Sequence, residues 1–153
     1  MLYLQLEGRL IALKIGGTID RLDQTKDFIR VVDYKTGKSD IAVKSFESLF
    51  LPSDNRNKAA FQTMFYAHAV FEQLKTVIPI VPSVYGARSV FTTDFNPIFQ
   101  IGGQNLVYQN YSEEFKENLS VLFNDIFNPE ISFSQTEDAR KCKLCPYNLI
   151  CNR

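Results

Sequence analysis

Gly17-Thr18-Ile19-Asp20-Arg21, followed by Val31-Val32-Asp33-Tyr34-Lys35-Thr36-Gly37, is the stretch whose reading decides the fold. If strands over 15–23 and 28–35 turn over at Lys26-Asp27, positions 20 and 33 fall directly opposite each other, with Cβ atoms roughly 4.5–5.5 Å apart. Side chains alternate along a strand, so Lys35 points to the same face as Asp33. Opposed like charges destabilise a strand pair unless something positive lies between them. A divalent cation held by carboxylate oxygens meets that need, with Lys35 adding charge beside it. A one-residue slip would turn one carboxylate to the other face. The alternative on spacing alone is a solvated hairpin in which Asp20 pairs with Lys35 or Arg21.

At 153 residues the chain is the size of one domain, 1–153. Its 45% hydrophobic content and 22% charge exclude a disordered polyampholyte and match a globular protein, with thirteen Phe and seven Tyr to fill an aromatic core. The formal net charge of zero argues against attraction to nucleic acid by the domain as a whole. Any DNA binding would use local basic positions. Apolar runs such as Val77-Ile78-Pro79-Ile80-Val81-Pro82 are far shorter than the ~20 residues of a membrane span. The N-terminus has no signal-peptide pattern. The expectation is a cytoplasmic chain with no membrane partner. The chain starts inside an alternating strand (Leu2, Leu4, Leu6) and stops soon after Cys151, so it is read as a fragment of a larger protein.

Residues 2–14 alternate as a strand or a bent pair of strands about Gly8. Ile41, Phe46, Leu49 and Phe50 suit a short helix over 40–51, closed by Pro52. The clearest helix spans 57–75, where Phe61, Phe65, Ala69 and the set Met64, Val70, Phe71, Leu74 form a wide apolar stripe. Val81–Val90 reads as a strand, and Phe95–Val107 as one or two more around Gly102-Gly103. Ser112–Phe127 is a second amphipathic helix, with Glu113 and Glu114 at its start. This order predicts a mixed α/β fold, a β-sheet flanked by helices.

Gly17-Thr18-Ile19-Asp20 and Asp33-Tyr34-Lys35-Thr36-Gly37 together resemble the PD-(D/E)XK nuclease superfamily, in the branch of the RecB and AddB helicase–nucleases and a CRISPR-associated exonuclease. The resemblance implies a restriction-endonuclease-like mixed sheet and a DNA exonuclease acting on single-stranded ends in recombinational repair, joined to the rest of a parent helicase–nuclease. It implies Asp20, Asp33 and the Tyr34 carbonyl as ligands of Mg²⁺ (or Mn²⁺), and Lys35 as the catalytic lysine that activates or positions water. Those residue types suit phosphodiester hydrolysis, which needs an activated water and neutralised phosphate charge.

Gln62 and Tyr66 share one helix face a turn apart. A bare Q-x-x-x-Y is by default an ordinary polar helix edge. The RecB-like branch carries the same motif after its D-Y-K hairpin, which implies that Gln62 and Tyr66 position substrate. Cys142, Cys145 and Cys151 form a C-x-x-C-x5-C tail, over 142–151, of a kind that ligates zinc or iron–sulfur. The AddB resemblance implies a [4Fe–4S] cluster whose fourth cysteine lies upstream of Met1. That branch usually also has an upstream histidine ligand, whereas His68 follows the hairpin and is not assigned to the metal. Glu7 is a weaker acidic candidate. Lys38, Lys44, Arg56, Lys58 and Arg88 are basic positions that could track DNA or line a solvated surface. Competing readings are a catalytically silent DNA-binding module of the same fold, a stand-alone CRISPR-type exonuclease, and a zinc-binding interaction module.

Overall fold

The computed structural model describes residues 2–6, 9–52, 56–132, 134–143 and 145–152. The first two strands, β1 (Leu2–Leu6) and β2 (Arg9–Leu13), pair antiparallel, as a bent strand pair predicts. Gly8, the expected turn residue, lies outside the described residues, as does Glu7. β3 (Arg21–Gln24) pairs antiparallel with β4 (Ile29–Lys35), and β4 pairs in parallel with β6 (Ile80–Gly86). β5 (Ala42–Val43), β7 (Gln100–Ile101) and β8 (Gln104–Asn105) form a third small sheet. An antiparallel bridge between Ser83 and Ile98 sets the 97–99 segment beside β6. Pro97, which has no N–H to donate, limits that pairing to a bridge flanked by Val84 N–H to Pro97 O and Phe99 N–H to Pro82 O. The mixed α/β architecture is as expected, divided into small sheets.

Helix α1 (Lys58–Leu74) lies across β4 and β6. Its deepest stripe is Ala60, Thr63, Met64, Ala67 and Val70, at helical spacing. The aromatic residues Phe61, Phe65 and Phe71 sit on the shoulders of this stripe, half-buried, and Leu74 is exposed. The two alanines explain the shift from the expected stripe, because small side chains let the helix approach the buried Ile29, Val31 and Ile80. Phe115 and Leu119 of α2 (Ser112–Phe127) close the core from the other side. The final helix, α3 (Ala139–Cys142), is a single turn.

Several local expectations change. Residues 40–51 hold β5 and one 3₁₀ turn, Glu47–Leu49, instead of a helix. There Asp40 Oδ1 accepts the Ala42 N–H at 2.9 Å, and Val43 is drawn into pairing with Ile101. The first arm of the hairpin becomes strand only at Arg21, since the preceding Gly16-Gly17 segment passes over α1. β6 stops at Gly86, and Arg88 lies exposed in the turn beyond it. A Cβ on Gly86 would stand 2.3 Å from Ser39 Oγ, so glycine lets the loop after Lys35 close over this strand end. Among the described residues no helix is long and apolar enough to cross a membrane.

Asn57 fixes the start of α1. Its Oδ1 accepts the Ala60 N–H at 3.0 Å, while its Nδ2 donates to the carbonyls of Asp40 and Ala42 at 2.8 and 3.1 Å. One side chain thus caps the helix and holds the loop that follows Lys35. Asn57→Ala is expected to lower stability by roughly 1–2 kcal/mol, read as a lower urea midpoint at unchanged slope; an unchanged midpoint would contradict this role.

Candidate active site

The hairpin register, Arg21↔Val32 to Gln24↔Ile29, carries one step further to set Asp20 opposite Asp33. Asp20 stands in the bend just before β3 and is held there by a hydrogen bond, since its Oδ2 accepts the Tyr34 N–H at 2.9 Å. The two carboxylates differ in surroundings. Asp20 is exposed, whereas Asp33, on the middle strand of its sheet, is only 3% exposed.

Lys35 lies two residues along the same face, and its Nζ is 2.6 Å from Asp33 Oδ2. The contact is short but poorly angled: Oδ2 is buried, matched in charge, and without a hydrogen bond. The same ammonium donates to Gln62 Oε1 at 3.2 Å, and Gln62 Nε2 donates to the Tyr66 hydroxyl at 3.1 Å. Residues from two separate motifs therefore form one polar chain, Asp33–Lys35–Gln62–Tyr66. Gly17 completes it from the other side. A Cβ there would stand 2.8 Å from the Tyr66 ring and 3.2 Å from its hydroxyl, so glycine is what lets the Gly17–Asp20 segment lie against the tyrosine.

The pairings of a bland solvated hairpin do not form. Lys35 meets Asp33, and Arg21 Nε donates to Asp23 at 2.7 Å. Arg21 also donates to the Tyr34 hydroxyl at 3.4 Å, and these two partners, Tyr34 first, hold its guanidinium pKa above the usual range. The Tyr34 ring, on the opposite sheet face from Asp33, stacks on Tyr85 with centroids 5.8 Å apart.

Among the described residues no three His, Cys, Asp or Glu side chains converge as a metal shell. A hard cation such as Mg²⁺ is commonly held by only one or two carboxylates, with waters completing its octahedron. Asp20 and Asp33 fit that requirement, and the buried, unbonded Asp33 Oδ2 is an acceptor with capacity to spare. Cys142 ends α3, while Cys145 and Cys151 follow in successive short turns, Cys145 N–H to Cys142 O and Cys151 N–H to Tyr147 O. All three are free cysteines, and among the described residues they are not gathered into a group of three.

His68 serves the core. Its Nδ1 lies 2.7 Å from the hydroxyl of buried Tyr108, and burial lowers its pKa. Two clefts flank the polar chain. One, of about 420 Å³, runs past Gly17, Tyr66, His68 and Glu72; the other, of about 450 Å³, opens from Lys35 toward Lys38, Arg56 and Lys58. The joining of Lys35 to Gln62 and the contact of Gly17 with Tyr66 were not readable from spacing. A glycine three residues before an acidic one was the available signal.

A family model described as the PD-(D/E)XK nuclease superfamily matches residues 2–152. No curated protein and no solved structure matches the chain.

Because burial favours the neutral imidazole, the stabilising contribution of His68 is complete above its unfolded pKa of about 6.5. It is lost as pH falls through the lower folded value. The chain has one histidine, so its NMR ring signals need no assignment. They should titrate with a midpoint below 6.5; a midpoint at or above that value would contradict the burial argument.

Proposed function

The chain belongs to the PD-(D/E)XK nuclease superfamily, and on that premise we propose that it is a Mg²⁺-dependent exonuclease domain. Its substrate is single-stranded DNA ends, and its context is an AddB/RecB-like helicase–nuclease in recombinational repair. The observation that carries the chemistry is the bridge made by Lys35, 2.6 Å from Asp33 and 3.2 Å from Gln62. The order of the motifs supports the finer family reading, with Asp33-Tyr34-Lys35-Thr36-Gly37 preceding Gln62-x-x-x-Tyr66 and the cysteine tail.

Asp20, Asp33 and the Tyr34 carbonyl would hold the cation, Mg²⁺ or Mn²⁺. When bound, it supplies charge neutralisation at the phosphate and lowers the pKa of water. The protein side chains do the positioning. Asp33 is fixed by the ladder of β4, and Asp20, one residue before β3, is held by the hydrogen bond from the Tyr34 N–H to its Oδ2. Lys35 offers an ammonium next to them that orients the attacking water and steadies charge on the phosphate. Gln62 holds that ammonium against Asp33, and Tyr66 fixes the orientation of the Gln62 amide. Removing the Tyr66 hydroxyl frees Gln62 to turn without touching either carboxylate.

Asp33→Asn and Lys35→Gln are each expected to cut Mg²⁺-dependent cleavage of end-labelled single-stranded DNA by at least about 10²-fold. Circular dichroism of Asp33→Asn, which removes the buried charge, should remain that of the parent. Tyr66→Phe should act more weakly, by about tenfold, equivalent to ~1.4 kcal/mol. Circular single-stranded DNA should resist digestion. Undiminished cleavage by Asp33→Asn would end the nuclease assignment, and efficient cutting of the circle would replace exonuclease by endonuclease.

A further inference from the structure

Lys35 faces two ways. Besides touching Asp33 and Gln62, it lines the cleft of about 450 Å³ whose other cations are Lys38, Arg56 and Lys58. The charge of Lys35 is committed to Asp33, but those of the other three have no such use in the site. Among the described lining residues the one carboxylate is Asp40, and its Oδ1 is taken up by the Ala42 N–H at 2.9 Å. Arg56 is set into this wall: its guanidinium lies over the Phe61 ring at 5.4 Å, and its Nε is buried without an acceptor. Lys58 and Ala59, the first two residues of α1, also line the cleft. Asn57 takes up the N–H groups of Ala60 and Phe61, and the two N–H groups ahead of them have no acceptor within the helix. Among the described residues the cleft on the Tyr66 side has Glu72, itself paired with Lys75 and Lys116, in its wall and neither lysine nor arginine.

We propose that the cleft bounded by Lys38, Arg56 and Lys58 is a phosphate subsite, which holds the backbone phosphate next to the one cleaved. The inference rests on the nuclease reading and adds to it the side from which the strand's backbone reaches the site. An anion there meets the charges of Lys38, Arg56 and Lys58 beside the first turn of α1. On the Tyr66 side no described lysine or arginine lines the cleft. Of the basic residues singled out in the sequence, Lys44 and Arg88 are not part of this wall.

The test measures binding of a short oligothymidylate in EDTA across a salt series, for the parent chain and for Lys38→Gln/Arg56→Gln/Lys58→Gln. The slope of log affinity against log salt should shrink by about 0.7 for every phosphate the cleft holds. A control triple, Lys26→Gln/Lys75→Gln/Lys143→Gln, removes the same charge at exposed positions away from the cleft and should leave the slope unchanged. The exposed pair Lys38→Gln/Lys58→Gln repeats the measurement without disturbing the packing of Arg56 on Phe61. With Mg²⁺, kcat/KM on the oligonucleotide should fall about tenfold or more, while turnover of bis(p-nitrophenyl) phosphate, a diester with no neighbouring phosphate, should hold. An unchanged slope, or an equal change in the control triple, overturns the subsite. Failure of the parent chain to cleave either substrate overturns the nuclease reading instead, and the salt slope still decides the cleft.

Discussion

A carboxylate buried in the middle strand of a sheet needs a countercharge, and Asp33 gets its own from Lys35, two residues along the same strand. Burying an ion costs several kcal/mol unless it is paired, and removing one partner of such a pair is worse than never having had it. The rest of the site follows from this constraint. The ammonium has to lie beside Asp33 Oδ2, and Gln62 of α1 accepts from it on the far side. Where the helix sits on the sheet therefore decides how the site is held. Ala60 and Ala67 permit that approach, and Asn57 fixes where the helix starts.

The same pair leaves Asp33 with acceptor capacity. With Lys35 in place Asp33 is matched in charge yet still has an unbonded oxygen, and Asp20 stands opposite on the exposed side. A divalent ion between the two carboxylates would share a duty the lysine already performs. Small side chains frame the arrangement. Gly17 makes room for the Tyr66 ring, and Gly86 makes room for Ser39 in the loop that leads to the basic cleft.

Much of this was legible in the residues. The hairpin count about Lys26-Asp27 placed β4 and its register from Arg21↔Val32 onward, and the 57–75 stripe placed α1 to within a residue at each end. These succeed because backbone geometry and burial repeat along the chain. Where tertiary packing decides, the sequence misled. Residues 40–51 look amphipathic, but the side chain of Asp40 and pairing with Ile101 draw them into a strand and a single 3₁₀ turn. The strand expected over 15–23 begins only at Arg21, because Gly17 ahead of it lies against the Tyr66 ring. Gln109 is a further case. It reads as a loop residue, but its side chain accepts the Ile80 N–H and donates to the Ile78 carbonyl, serving as the missing neighbour at the start of β6.

The central claim is that Asp20 and Asp33, opposed across the hairpin with Lys35 beside them, are one cation site. Anomalous diffraction from a crystal of this chain soaked in Mn²⁺ tests it most directly. The account predicts an anomalous peak within coordination distance of both carboxylates, absent from an Asp33→Asn crystal soaked in the same way. A manganese peak elsewhere with none between Asp20 and Asp33, or a peak that survives the substitution, would contradict it.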